Sequence, residues 1–195
     1  MGLLDVFKNA LSAVIKNTQN TPGANPQQTA CKSESIAFAK IPDSLEELKA
    51  LPQAALATPF DTAALTVLAL CTYPKNKEES LKMLEYLSGP RELSQRDRQF
   101  INDRFMDGVD YVPRSYFNGA VPGNDYTPSI PYTITVKENP YSYDNEGYAK
   151  LFITSGGADT DRYVQLRKAK DGKWYLWEQF LLVGIRQPES ANPWA

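Results

Sequence analysis

The stretch YVQLRKAKDGKWYLWEQF, residues 163–180, decides the fold class of this chain. Two strand-like runs flank Asp171-Gly172, which is the strongest short hairpin signal in the sequence. If these two residues form the whole turn, Leu166 pairs with Trp177 and Arg167 pairs with Leu176. Both faces of the hairpin then carry apolar side chains. A sheet that contains this hairpin therefore needs cover on both of its faces.

Two segments upstream of the hairpin alternate with a period of two residues, as strands do. They are YTITVKE at 132–138 and GYAKLFIT at 147–154. Together with the hairpin they predict a four-stranded antiparallel meander. In this register, several large side chains fall outside a single core face: Tyr148, Phe152, Tyr163, Trp174 and Leu176.

Four helical segments precede the strands, and each has a recognisable start signal. The predicted first or capping residues are Ser44, Asp61, Asn76 and Ser94. The segment DTAALTVLALCTYP is apolar on all sides, which predicts the central buried helix. The fold class is therefore α+β, with a helical layer packed on the meander in a single domain over residues 41–190.

The first 17 residues predict an amphipathic helix. Its apolar face consists of Leu3, Leu4, Phe7, Leu11, Val14 and Ile15. Residues 18–40 are polar and contain Pro22, Gly23 and Pro26, which indicates a flexible linker. The tethered helix docks on its own domain or on a second copy, or else it contacts a membrane surface or a foreign partner.

The composition excludes several classes of function. The 195 residues include no histidine, so no Ser-His-Asp triad, Cys-His dyad or His-rich zinc site can form within the chain. The 21 basic and 23 acidic residues give a net charge of −2, which predicts no nucleic-acid partner but leaves a local basic patch open. Cys31 and Cys71 form no zinc pattern, and no metal or cofactor is expected.

The sequence also leads to an expectation about the cellular setting. No signal peptide and no apolar run of membrane-spanning length is recognisable in the sequence. We therefore expect a cytoplasmic protein in a reducing compartment, with peripheral membrane contact through residues 1–16 as an alternative.

The candidate binding site is the end of the sheet that carries the loop SGGADTDR, residues 155–162. Because loops alternate between the two ends of a meander, connectivity gathers seven residues there. They are Arg114, Tyr116, Tyr126, Asp159, Asp161, Arg162 and Arg186. An ordinary hairpin turn accounts for the glycines and aspartates, because these residues dominate such turns, and an anion site is the alternative.

These observations leave three hypotheses for the function. The first is a non-enzymatic binding or scaffolding module. The second is a small-ligand enzyme that uses carboxylate, tyrosine and arginine side chains at the loop end. The third is a homodimer that pairs its sheet faces.

Residues 41–188 resemble a bacterial family of unknown function that occurs mainly in anaerobic Gram-positive species. The resemblance is carried by MLEYLSGPRELSQRDRQFINDRF, YVPRSYFNGAVPGNDYTPSIPYTI, ENPYSY, SGGADTDRYVQLRK and WYLWEQFLLVGIRQP. It implies a bacterial, cytoplasmic setting and one compact domain, and it transfers no catalytic residue. The order of helices and strands also resembles the cone-shaped folds of nuclear-transport-factor-like proteins, at the level of fold alone.

Overall fold

The computed structural model of the protein describes residues 31–194. In chain order its strands and α-helices are β1 Ser33–Phe38, α1 Leu45–Lys49, α2 Pro59–Thr72, α3 Lys77–Ser88, α4 Gln95–Arg104, α5 Tyr111–Arg114, β2 Tyr132–Lys137, β3 Tyr148–Ile153, β4 Arg162–Lys168 and β5 Trp174–Gln179. The predicted helix at 1–17, with its six apolar face residues, lies outside the described residues. Among residues 31–194, no helix is both long and apolar enough to cross a membrane.

Helix α2 forms the centre of the hydrophobic core, as its all-round apolar sequence predicts. Thr58 caps the helix by accepting a hydrogen bond from the Asp61 N–H at 3.2 Å. Pro59 occupies the first turn, where its missing N–H leaves no partner unsatisfied. The helix therefore begins two residues before the predicted start at Asp61. Nearly all of its side chains are buried, and it packs against all five strands.

The other predicted helix starts agree with the structure. Ser44, Asn76 and Ser94 each accept a hydrogen bond from the backbone N–H three residues further on. Gly89 ends α3 with a φ of +61°, and a Cβ at this position would overlap the ring of Tyr175. A glycine is therefore needed here both for backbone conformation and for close packing against β5.

The sheet has five antiparallel strands in the order β1-β2-β3-β4-β5. One face packs on the helices, and we call it the inner face. Its buried strand residues are Ile36, Phe38, Ile134, Val136, Ala149, Leu151, Ile153, Val164, Leu166 and Leu176. We call the opposite face the outer face.

The predicted number of strands is wrong by one. Ser33–Phe38 lies within the stretch predicted to be a flexible linker, yet it pairs with the whole of β2, from Ser33 opposite Lys137 to Phe38 opposite Tyr132. Only Ile36 and Phe38 of this strand are buried on the inner face. Two apolar positions in a polar stretch give only a weak periodic signal for a strand. The strand forms through its pairing with β2.

The turn of the β4–β5 hairpin contains three residues rather than two. Lys168 pairs with Trp174, and residues 170–172 form the loop. Gly172 takes a φ of +82° there, and the Ala169 N–H donates a hydrogen bond to the Lys173 carbonyl at 2.9 Å. A three-residue hairpin loop with a left-handed glycine is the next most common solution after the two-residue turn.

This longer turn shifts the register of β5 by one residue, so its first side chains change face. The predicted pairs Leu166–Trp177 and Arg167–Leu176 are wrong. Leu166 pairs with Leu176, and Arg167 pairs with Tyr175. Leu176 is buried on the inner face, contrary to the prediction that it falls outside the core face. Trp174 likewise packs against the core.

Candidate functional site

The structure brings most of the seven predicted site residues to one end of the sheet, where their side chains bond to other groups of the same chain. Tyr116 is fully buried, and its hydroxyl donates to the Leu181 carbonyl at 2.5 Å. Tyr126 is also buried, and its hydroxyl donates to the Arg186 carbonyl at 2.7 Å. Burial raises the pKa of both phenols above the usual value, so both stay neutral hydrogen-bond donors.

The charged members of this group are also engaged within the chain. Arg162 donates to the carbonyls of Val183 at 2.8 Å and Gly184 at 2.6 Å, and to both oxygens of Thr160. Asp161 lies 3.3 Å from the Lys137 ammonium. The Asp159 carboxylate lies 2.5 Å from the Arg186 guanidinium, in a pair that is open to solvent.

Arg114 differs from the other six residues in its side-chain contacts. Its guanidinium lies 3.4 Å from Asp110, within the same helical turn. Its Nε is buried without a hydrogen-bond partner among the described residues, and its charge acts on the buried thiol of Cys71. Burial dominates there and raises the pKa of Cys71, so this thiol is not an activated nucleophile.

The two glycines of the SGGADTDR loop serve close packing. The Gly156 N–H donates to the Ser115 carbonyl at 2.9 Å, and the Gly157 N–H donates to the Ser155 hydroxyl at 3.1 Å. A Cβ on Gly156 would overlap the Ala120 carbonyl oxygen, and a Cβ on Gly157 would overlap the Tyr126 hydroxyl. Both amides are therefore used internally, and neither is available to form an anion-binding nest.

A different arrangement of side chains lies on the outer face of the sheet. Aromatic rings from three neighbouring strands project there: Tyr148, Phe152, Tyr163, Trp177 and the residue after β5, Phe180. They form two clusters. Trp177 and Tyr148 meet edge to face with ring centroids 5.9 Å apart, and Tyr163 packs on Phe152 at 6.3 Å and on Phe180 at 4.5 Å.

Ordinary alternation along β5 places Trp177 on the outer face, because the residue before it, Leu176, is buried on the inner face. A β-bulge follows at this point of the strand. The pairs Leu166–Leu176 and Gln165–Glu178 leave Trp177 as an extra residue in β5, so Glu178 lies opposite Gln165.

Cationic side chains lie over these rings. The Arg167 guanidinium is 4.9 Å from the centroid of Trp177 and 5.3 Å from that of Tyr148. The Arg91 guanidinium, from the connection between α3 and α4, is 5.1 Å from the Trp177 centroid. Two guanidinium groups therefore share one indole ring. Cation–π attraction holds each in place without neutralising its charge.

These two arginines line a cavity of about 760 Å³ at the hairpin end of β5, which we call the arginine–tryptophan pocket. Its other polar and aromatic lining residues include Lys168, Lys170, Asp171, Tyr175 and Trp177. Asp171 is the only carboxylate among the lining residues, and it accepts hydrogen bonds from the Tyr175 hydroxyl at 2.7 Å and the Lys173 N–H at 3.0 Å. The lining is therefore rich in positive charge.

The hydrogen bond from Tyr175 fixes the protonation states of this pair. It holds the pKa of Asp171 below its usual value, with the Lys173 N–H adding to the effect. Burial, followed by the hydrogen bond to Asp171, raises the pKa of Tyr175 to about 12. Asp171 is therefore ionised and already satisfied at neutral pH, while Tyr175 remains a neutral phenol.

The two arginines retain hydrogen-bonding capacity. Among residues 31–194, no carboxylate lies within 4.0 Å of the Arg167 guanidinium, and the side chain is exposed. Arg91 contacts Asp97 through Nη2 at 3.3 Å, and its buried Nε has no partner in the same part of the chain. Paired guanidinium groups with free N–H donors are typical of oxyanion recognition.

Comparison with known families places this geometry in context. The family model described as "Domain of unknown function (DUF6935)" matches residues 40–189. The chain belongs to this family. The predicted resemblance to a family of unknown function is thereby confirmed. No curated protein and no solved structure matches the chain, so the likeness to nuclear-transport-factor-like cones stays a prediction.

The DUF6935 match includes every residue of the arginine–tryptophan pocket, whereas β1 lies before it. The pocket is thus built entirely from the family domain. Among the described residues, no group of three or more Cys, Asp or Glu side chains is arranged to hold a metal ion.

Proposed function

We propose that the domain is a non-enzymatic binding module and that its ligand is an anionic molecule with a planar ring. The observation that carries this proposal is the placement of Arg91 and Arg167 over a single indole, that of Trp177. The guanidinium groups offer N–H donors to a phosphate or carboxylate. The neighbouring aromatic and guanidinium surfaces offer stacking area to a ring.

The dimensions and lining of the pocket support this choice. A volume of about 760 Å³ lies in the range of small-molecule sites, which combine apolar walls with a few convergent polar groups. Here Leu176, Tyr175 and Trp177 supply the apolar wall, and four basic side chains converge on it. Electrostatic complementarity would bring an anion to this pocket and disfavour a cation.

The state of the one carboxylate in the pocket lining supports binding over catalysis. The chain has no histidine, and Asp171 is held by two hydrogen bonds and has a lowered pKa. A general base needs a proton-accepting group that is free to reach the substrate. The alternative of an enzyme at the SGGADTDR end is less well supported, because Tyr116, Tyr126 and Arg162 already bond to backbone carbonyls.

The remaining expectations about partners and setting also stay proposals. They are a cytoplasmic location, a homodimer or a protein partner, and association with a membrane, a partner or a second copy through residues 1–16. None of them is needed for binding at the arginine–tryptophan pocket.

The pocket predicts that both halves of a ligand contribute to affinity. Thymidine 5′-monophosphate should bind at least about tenfold more tightly than thymidine, which lacks the anion, or deoxyribose 5-phosphate, which lacks the ring. Arg167→Gln should weaken binding of the nucleotide about tenfold, because a hydrogen bond to a charged group contributes roughly 1.5–3 kcal/mol. Isothermal titration calorimetry with the full chain measures each dissociation constant.

Arg104→Gln provides a matched control. Its guanidinium also lies over a ring, 5.1 Å from the Phe100 centroid, but outside the pocket. This variant should bind the nucleotide as the wild type does. Equal affinity for nucleotide, nucleoside and sugar phosphate, or an Arg167→Gln variant with unchanged affinity, would refute the proposal.

A further inference from the structure

We propose that the ligand is a single-stranded nucleic acid that runs along the outer face of the sheet, from the arginine–tryptophan pocket to the cluster of Phe152, Tyr163 and Phe180. This inference rests on the proposed function of the pocket and extends it. The pocket takes one nucleotide, and the second cluster takes a base further along the same strand.

The second cluster provides another stacking surface. The rings of Tyr163 and Phe180 stack with centroids 4.5 Å apart and planes 30° from parallel. Phe180 remains 37% exposed, so part of its ring surface is free. The Lys150 ammonium lies 3.9 Å from the Tyr163 centroid, which places a positive charge beside this surface. Basic grooves with interleaved aromatic rings are the common feature of single-strand binding surfaces.

The spacing of the two clusters fits a short run of nucleotides. Tyr148 in the first cluster and Phe152 in the second are four residues apart on β3, or about 13 Å at the rise of an antiparallel strand. This distance corresponds to about four nucleotides at the 3.4 Å rise of a stacked strand. Between the clusters, Lys150 lies opposite Gln165 on β4, so an ammonium and an amide line the path.

The local charge differs in sign from the total charge of −2 that predicts no nucleic-acid partner. The pocket and the adjoining outer face carry six basic side chains and four carboxylates. The basic residues are Arg91, Lys137, Lys150, Arg167, Lys168 and Lys170, and the carboxylates are Asp97, Asp161, Asp171 and Glu178. The inference departs from the sequence prediction because affinity for phosphates depends on the charge of the contact surface.

The same charges argue against the pairing of two sheet faces in a homodimer. Face-to-face contact would bring Lys150 and Arg167 of one copy close to the same basic residues of the other. Among residues 31–194, neither side chain has a carboxylate within 4.0 Å to offset that repulsion. Like charges across an interface disfavour association.

A single strand fits this face better than a duplex does. Stacking on Trp177, Phe180 or a guanidinium plane requires an unpaired base, because base pairing and stacking in a duplex hide the ring faces. A duplex offers phosphates alone, and so does a sulfated polysaccharide. The rings therefore predict a preference that charge alone cannot produce.

The test is a length series of thymidylates, from the mononucleotide to the octamer, titrated into the full chain by fluorescence anisotropy competition. Affinity should rise up to about four nucleotides and then level off. For the tetramer, three contacts from Arg91, Lys150 and Arg167 predict a slope of about −2 in log affinity against log salt. Lys150→Gln should reduce that slope by about 0.7 and weaken the tetramer, while leaving binding of the mononucleotide unchanged.

The outcomes separate this inference from the proposed function. If the mononucleotide binds but the tetramer binds no more tightly, the pocket stands and the extended path is wrong. If neither binds, the proposed function itself fails. A blunt duplex or a heparin fragment that binds as tightly as the single strand would also overturn the inference, because it would show that the aromatic rings contribute nothing. Exposed Lys150 can be changed without disturbing the core.

Discussion

Replacing Gly156 with alanine is expected to lower the free energy of unfolding by about 3 kcal/mol, the upper part of the usual range for overpacked sites. A Cβ at this position would overlap the carbonyl oxygen of Ala120 and lie 3.1 Å from Val121 Cγ1. The obstructing oxygen belongs to the backbone, which cannot turn aside as a flexible side chain can. The chain must therefore shift, and the hydrogen bond from Gly156 N–H to the Ser115 carbonyl weakens with it. Urea denaturation of the full chain measures the change.

Gly123→Ala is the matched control for this experiment. A Cβ on Gly123 would meet its nearest atom, Glu189 Oε1, at 3.5 Å, which is an ordinary contact distance. We expect its stability to stay within about 0.5 kcal/mol of the wild type. If Gly156→Ala were as stable as Gly123→Ala, the SGGADTDR loop would not be tightly packed. The loop would then again be a candidate binding surface.

The helical half of the fold could be predicted from the sequence because helix signals are local. A cap such as Ser94 and its N–H partner at Asp97 are separated by three residues, so the sequence itself contains the interaction. The all-round apolar character of α2 likewise needs no knowledge of its neighbours. These predictions are confirmed, and they succeed because each feature depends on only a few adjacent residues.

The sheet was predicted less well because strand pairing is non-local. β1 pairs with β2 about 100 residues later in the chain, and its own sequence contributes only two buried side chains, Ile36 and Phe38. The register of the β4–β5 hairpin depends on whether its turn holds two residues or three, and Asp171-Gly172 is compatible with both lengths. One residue in that turn decides which face carries Leu176.

The candidate sites, too, could be predicted only in part from the sequence. Connectivity gathers Tyr116, Tyr126 and Arg162 at one end of the sheet, but their partners are backbone carbonyls, which no sequence motif reveals. The arginine–tryptophan pocket was missed for two reasons. Trp177 reaches the outer face only in the register set by the three-residue turn, and Arg91 comes from a helix connection distant in sequence. Alternation along β3 and β4 does predict that Tyr148, Phe152 and Tyr163 fall outside the core face, but it does not predict which cations lie over the rings.

Replacing Arg162 with glutamine is expected to cost about 2 kcal/mol of stability, since hydrogen bonds from charged donors contribute more than neutral ones and this side chain is only partly buried. Its guanidinium joins the start of β4 to the carbonyls of Val183 and Gly184, and it also bonds Thr160. Glutamine is shorter and has fewer donors, so it leaves at least one of these carbonyls without its partner. The C-terminal segment should then separate from the sheet more readily, which hydrogen exchange of the Arg186 amide would detect as reduced protection.

Arg186→Gln separates this bracing role from a simple effect of charge at the same end of the sheet. Among residues 31–194, its guanidinium pairs only with Asp159, which is 89% exposed, and pairs of that kind contribute about 0–1 kcal/mol. The Arg186 backbone, which accepts from Tyr126 and donates to Gly157, is the same in the variant. We expect its unfolding free energy to change by less than about 0.5 kcal/mol. Equal losses in the two variants would mean that net charge stabilises this junction, whereas a loss confined to Arg162→Gln assigns the stability to its bonds with the backbone.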